Sequence, residues 1–323
     1  LCLKLIKNKK NKIYGIDNLN DYYDVNIKIN RTKILKKFKN FKFYKFDLYN
    51  RKKVQNFFKN KKFNLVIHLA AQAGVQYSLI NPDAYINSNL IGFYNLIEEI
   101  KKNKIKKFMF ASSSSVYGKN KKYPFSEDHK TDNQISLYGA TKKSNEILAH
   151  YYSVAYGITI LGLRFFTVYG PWGRPDMSLF IFVKNIIKNK KIYVYNFGNH
   201  SRDFTYIDDI VNGIILALKK IPKPKKNSKS SKLDPSTSVA PFKILNLGGG
   251  NNIKLMKFIK IIEKILRKKA KIKFMKFQDG DIKDTKANIN ESKKYLKYKP
   301  KIKIKQGVKK FVEWYVKYNK VKL

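Results

Sequence analysis

The feature that most constrains this chain is an alternation of short apolar segments with longer amphipathic ones through its first half. "KIYGID" (12–17) precedes a helical pattern near 25–39, "FKFYKFD" (41–47) precedes one near 51–60, and "FNLVIHLAA" (63–71) follows. The short segments are rich in β-branched and aromatic residues, as strands are, and the long ones repeat apolar residues every three or four positions. The series continues with a helix after Pro82, the strand "KKFMFASSS" (106–114), a helix over about Tyr138 to Tyr156, and the strand "ITILGLRFF" (158–166). Apolar strands alternating with helices predict an α/β fold, a parallel sheet covered on both faces, with ligands at the carboxyl ends of the strands.

Beyond Arg164 the pattern loosens into the turn-rich "YGPWGRPD", a helix near 178–189 and a strand "KIYVY". A second, smaller subdomain is expected here, so that 1–168 forms a nucleotide-binding domain and 169–323 mainly a substrate-binding one, with about 193–218 returning to the first. The Lys-, Ser- and Pro-rich stretch 219–241 reads as a mobile excursion. "FKILNLGGG" then resumes a strand, with helices expected near 252–268 and 305–319.

With 323 residues, 43% of them hydrophobic, the chain is long enough to bury a substantial core. No apolar run reaches the roughly 18 to 20 residues of a membrane span, and no secretory leader is recognisable, so a cytoplasmic location is expected. A single cysteine, Cys2, excludes an internal disulfide, and four scattered histidines make a metal site an unfavourable reading. The formal charge of +47 comes almost wholly from lysine, with arginine only at 31, 51, 164, 174, 202 and 267. Base and phosphate forks favour arginine, and the lysines are spread over the whole chain, so the charge predicts salt-sensitive attraction but no specific nucleic-acid partner.

"SLYGATKK" carries the chemistry. Tyr138 and Lys142 stand four positions apart and share one helix face. A tyrosine used as a base near neutral pH needs its pKa lowered by roughly three units, about 4 kcal/mol of anion stabilisation, which a neighbouring ammonium supplies. Upstream, "ASSSSVYG" places four hydroxyls at the end of a buried parallel strand, where a serine is able to relay a proton.

These segments give the chain a resemblance to the extended short-chain dehydrogenase/reductases, and among them to the UDP-glucuronate 4-epimerases. The likeness runs from "YGIDNLNDYYD" to "FVEWY" through "HLAAQAGVQYSLINPDAYINSNLIGFYNLIE", "ASSSSVYG", "SLYGATKKSNE", "GLRFFTVYGPWGRPDM", "FGNHSRDFTYIDDI", "DPSTSVAPFKILNLGG" and "QDGDIKDT". It implies a Rossmann-type doubly wound parallel sheet with a smaller C-terminal substrate-binding subdomain, NAD as cofactor, a UDP-sugar as substrate and a homodimer paired through a helix bundle. Tyr138 would take the proton of the substrate 4-hydroxyl, Ser113 would relay it, and Lys142 would hold the nicotinamide ribose and lower the Tyr138 pKa. Asp17 would accept from the adenosine ribose, and Asp47 and Leu48 would border the adenine. Leu69, Ala70, Ala71, Asn87, Ser112 and Phe165 would line the dinucleotide. Ser114, Thr167, Arg174, Arg202 and Asp281 would meet the nucleotide sugar. His68 would steady its strand end.

Related dehydratases and decarboxylases carry an acid after the strand serines, whereas Ser114 and Ser115 stand here, which favours an epimerase. Gln76 replaces an expected arginine in "AGVQYS". The G-x-x-G-x-x-G turn that binds a pyrophosphate is not found in the chain, and "NLGGGNN" lacks its spacing. "LCLKLI" therefore reads as the tail of a first helix, with roughly 15 to 20 residues holding a first strand and that turn expected before Leu1. The alternative readings are epimerisation of UDP-N-acetylglucosamine or UDP-glucose, and an inactive truncated chain.

Overall fold

The computed structural model describes residues 1–224, 234–278 and 280–322. The strands are β1 (Ile13–Asp17), β2 (Phe41–Lys45), β3 (Val66–His68), β4 (Lys107–Ser113), β5 (Thr159–Phe165), β6 (Thr167–Tyr169), β7 (Lys191–Val194), β8 (Ser201–Arg202), β9 (Phe204–Tyr206), β10 (Phe242–Leu247), β11 (Ile253–Lys254) and β12 (Lys271–Phe274).

Strands β10, β5, β4 and β3 form one parallel ladder in that order, and β1 pairs in parallel with β2. β4 and β5 have a neighbour on each side and are nearly all buried, while β1 has one ladder partner and is only partly buried. Helices cover both faces. Residues of Arg51–Phe58, Gly92–Lys102 and Leu137–Tyr156 pack Phe57, Phe93, Leu96, Ile97 and Ala149 against Phe108, Phe110, Ile160 and Ile244. On the other face, helix Ile207–Lys219 packs Ile210, Ile214 and Ala217 on Met109, Leu161, Leu163, Leu245 and Leu247. This is the expected doubly wound α/β arrangement.

A second core joins helices Ser178–Ile187, Leu255–Leu266 and Ile304–Asn319, with Phe180, Val183, Phe258, Ile262, Val308 and Phe311 at its centre. The parallel pair β7–β12 belongs to this part, and the pair β6–β9 lies where it meets the sheet. Of the stretch expected to be a mobile excursion, 225–233 lies outside the described residues. Its downstream end joins the sheet through a bridge between Thr237 and Lys243.

Elements fall where the patterns place them, with one departure. The helix expected after Pro82 is Pro82–Tyr85, then a π-helical stretch Ile86–Ile91, then Gly92–Lys102. Such stretches widen a helix by one residue per turn and are frequent at functional sites.

Candidate active site

Helix Leu137–Tyr156 starts where Ser136 Oγ accepts the Gly139 amide at 3.1 Å, and ends at Gly157 in the left-handed region. Its first turn lies directly on the serine turn after β4. A Cβ on Gly139 would stand 2.8 Å from the Ser115 carbonyl oxygen, so glycine sets the spacing between helix and turn. Two turns of helix therefore bring Tyr138 and Lys142 to the end of β4.

Buried Ser113 lies beside Tyr138 there. Burial pushes the Tyr138 phenol up from its ordinary value, while the Ser113 hydroxyl and the Arg174 charge pull it down. Sequence reasoning gave that pull to Lys142. The structure instead turns the Lys142 ammonium to the Ala111 carbonyl, 2.9 Å away, and burial lowers its pKa to about 8.

Ser112 does not face the cleft. Strand alternation turns its hydroxyl inward, where it donates to Glu146 Oε1 at 2.6 Å. Glu146 also takes a bidentate pair from Arg164, Nε and Nη2 each at 2.8 Å, and both side chains are buried. Burial opposes the Glu146 charge, but the Arg164 charge and hydrogen bonds outweigh it and hold the carboxyl below its ordinary value.

β1 ends in Asp17, and Asp47 lies two residues past the end of β2. Asp17 Oδ1 accepts from Leu19 N at 2.7 Å, and Asp47 Oδ2 from Asn18 Nδ2 at 2.7 Å. Leu69 and Ala70 are exposed after β3, and Asn87 lies partly buried in the π-helical stretch. Leu48, expected beside a ligand, is instead a core side chain in contact distance of Gly92. Phe165 ends β5, partly buried against the opposite core. His68 is buried between the rings of Phe93 and Phe108, and burial drives its pKa down to about 3, so it is neutral and structural.

The substrate candidates lie on several segments. Thr167 starts β6, beside the Asp203 carbonyl that its amide bonds at 3.1 Å. Ser114 opens the turn after β4. Arg202 and Asp281 are paired with each other, Nη2 to Oδ1 at 2.8 Å, beside a large cleft of about 1380 Å³ lined by Lys254, Lys257, His200, Phe277 and Asp281. Arg174 lies 3.4 Å from Asp176.

Several contributors escaped the sequence reading. Gln72 is buried with its Nε2 unpartnered among the described residues, and its main chain is fixed by Asn89, which also bonds Thr141 Oγ1 at 3.1 Å on the catalytic helix. Tyr22 donates to Asp176 Oδ2 at 3.0 Å, and Arg31 Nη2 to the Trp172 carbonyl at 2.6 Å, so the segment carrying Arg174 is clasped to the segment after β1. These contacts span some 150 residues, and no local pattern announces them.

The model of the NAD dependent epimerase/dehydratase family matches residues 1–228. The chain belongs to that family. Its cofactor is NAD. CapI from Staphylococcus aureus is 46% identical over 320 residues, covering 99% of this chain and 95% of its own. A UDP-glucuronate 4-epimerase of Thermodesulfobacterium geofontis is 44% identical, covering 94% and 88%. Among solved structures, the UDP-glucuronic acid 4-epimerase of Bacillus cereus in complex with UDP-glucuronic acid and NAD superposes with a TM-score of 0.85 at 31% identity, covering 98% of this chain and 95% of that one.

The residues present fit the two ends of NAD. The Lys142 ammonium would meet the nicotinamide end, and the carboxylates of Asp17 and Asp47 would meet the adenosine end. A diol is held by an acidic group at such a strand end, and a 2′-phosphate is repelled.

Proposed function

We propose that this chain catalyses the 4-epimerisation of a UDP-sugar, interconverting UDP-glucuronate and UDP-galacturonate. The observation that carries the reading is the meeting of Tyr138, Ser113 and Lys142 at the end of β4. When bound, NAD supplies reversible acceptance of the C4 hydride. Lys142 and Asp17 hold its two riboses, Asp47 borders the adenine, and Leu69, Ala70, Ala71, Asn87 and Phe165 line the groove.

Tyr138 accepts the proton of the 4-hydroxyl, through Ser113 or directly, and returns it when the hydrogen is restored to the opposite face of the sugar. The Ser113 hydroxyl and Arg174 stabilise the phenolate that accepts this proton. The C4 ketone of a uronate is a β-keto acid, prone to lose CO2. Ser114 and Thr167 hold the carboxylate with neutral hydroxyls, and no acid follows Ser113 to assist the loss. Arg202 meets the diphosphate, with Asp281 fixing its guanidinium plane.

We also propose a homodimer. An apolar face on the outer sides of helices Gly92–Lys102 and Leu137–Tyr156 exposes Ile91, Tyr94, Ile147, Tyr151 and Val154 around a shallow groove. A second copy of the same face covers it in a four-helix arrangement, as isologous pairing requires.

Incubation with UDP-glucuronate, UDP-glucose and UDP-N-acetylglucosamine in turn, with NAD added, tests the substrate. UDP-galacturonate is expected from the first. Turnover of a neutral UDP-sugar alone would replace the uronate reading with one of its two rivals.

A further inference from the structure

The triple glycine of "NLGGGNN" follows the wrong strand for a cofactor turn, and its real partner is internal. We infer that Asp203 is a positioning residue that assembles the substrate half of the site by tying three chain segments to one buried residue. This rests on reading Arg202 and Asp281 as UDP-sugar contacts.

Asp203 sits between Arg202 and Phe204 and is 0% exposed. Its Oδ1 accepts from Gly249 N at 2.6 Å and Thr205 Oγ1 at 3.1 Å, and its Oδ2 from Gly250 N at 3.0 Å and Ala287 N at 2.9 Å. All four partners are donors, so they recognise the ionised carboxylate, and they are amides and a hydroxyl rather than a cation. The glycines make this approach possible. A Cβ on Gly249 would stand 3.1 Å from Asp203 Oδ1 and from the Phe204 carbonyl oxygen, one on Gly248 would stand 2.5 Å from Ala287 Cβ, and Gly250 has φ +73°.

The main chain of Asp203 adds two ties. Its N–H donates to Thr285 Oγ1 at 3.2 Å, and its carbonyl accepts from Thr167 N at 3.1 Å. One residue thus fixes β6 with Thr167, the turn after β10, and the segment around 281–287. That last segment closes on Arg202 through Asp281 Oδ1 and the Lys283 carbonyl, each 2.8 Å from the guanidinium, and through the hydrogen bond from Ser201 to Asp284. Removing the carboxylate charge frees 281–287 and leaves Arg202 without its fixed frame. Tyr138, Ser113 and Lys142 lie on other segments. The consequence belongs to binding, not to the chemical step.

Calorimetric titration of the full chain with UDP, for wild type, Asp203→Asn and Thr205→Val, tests this alongside steady-state kinetics. Asp203→Asn is expected to weaken UDP about tenfold or more and Thr205→Val about threefold, with KM rising in parallel and kcat within about threefold of wild type. UDP affinity within twofold of wild type in folded Asp203→Asn overturns the inference. So does unchanged affinity in Thr205→Val should the first variant not fold, or a loss confined to kcat. Wild type that does not bind UDP overturns the reading of the site itself.

Discussion

Two consecutive serines at the end of β4 do opposite jobs. Ser113 faces the cleft and Tyr138, whereas Ser112 turns into the core and bonds Glu146. Ser113→Ala is therefore expected to lower kcat by about 10- to 100-fold with little loss of stability, and Ser112→Ala to cost about 1–2 kcal/mol in urea unfolding. Equal effects on both quantities in both variants would contradict the assignment. Lys142 belongs to the same scale. Burial holds its pKa near 8 rather than 10.5, so below pH 8 the folded chain carries an ammonium that prefers water. The unfolded chain then binds more protons between those values, and stability from this group rises with pH across that window. Lys142→Met should abolish turnover yet raise the unfolding free energy at pH 7 by up to about 3 kcal/mol, the gain shrinking by pH 10. A destabilised variant at pH 7 would show that the ammonium is better compensated than its single bond to Ala111 suggests.

Helix Leu137–Tyr156 shows what a sequence reveals at the level of an element. The i, i+4 spacing of Tyr138 and Lys142, the Ser136 cap and the Gly157 stop are local, and all are legible. Its anchor is not. Glu146 lies on the same helix as Tyr138, but its partner Arg164 comes from β5, and only the fold joins them. Breaking one member of such a buried pair leaves an uncompensated charge, so Arg164→Met is expected to cost about 3–5 kcal/mol and Glu146→Leu with Arg164→Met much less. Double-mutant unfolding measurements check this. The π-helical stretch at 86–91 was invisible for a related reason, since a helical pattern looks the same with one residue inserted, and the Asn89 bonds that stabilise it are long-range. The side chains of Leu48 and Ser112 turn into the core, which a motif does not reveal, because it gives a residue's position along the chain but not which way its side chain points.

Across the whole molecule, the site is held together by contacts that no segment contains. The clasp from Tyr22 to Asp176 and from Arg31 to Trp172 joins the segment after β1 to the segment carrying Arg174, and the Tyr22 phenol, pushed up to about 12 by burial and by Asp176, stays a neutral donor. The proposed pairing through the apolar outer face of helix Leu137–Tyr156 belongs to this scale. Ile147→Lys is expected to convert a dimer to a monomer in sedimentation velocity, and a wild-type monomer would contradict the pairing proposed. The most direct test of the account follows the hydrogen at C4. Proton NMR of the products formed from UDP-glucuronate deuterated at C4 should show UDP-galacturonate with the deuterium retained at C4 and no CO2 released. Product that has lost the label to water, or a decarboxylated pentose, would contradict the account.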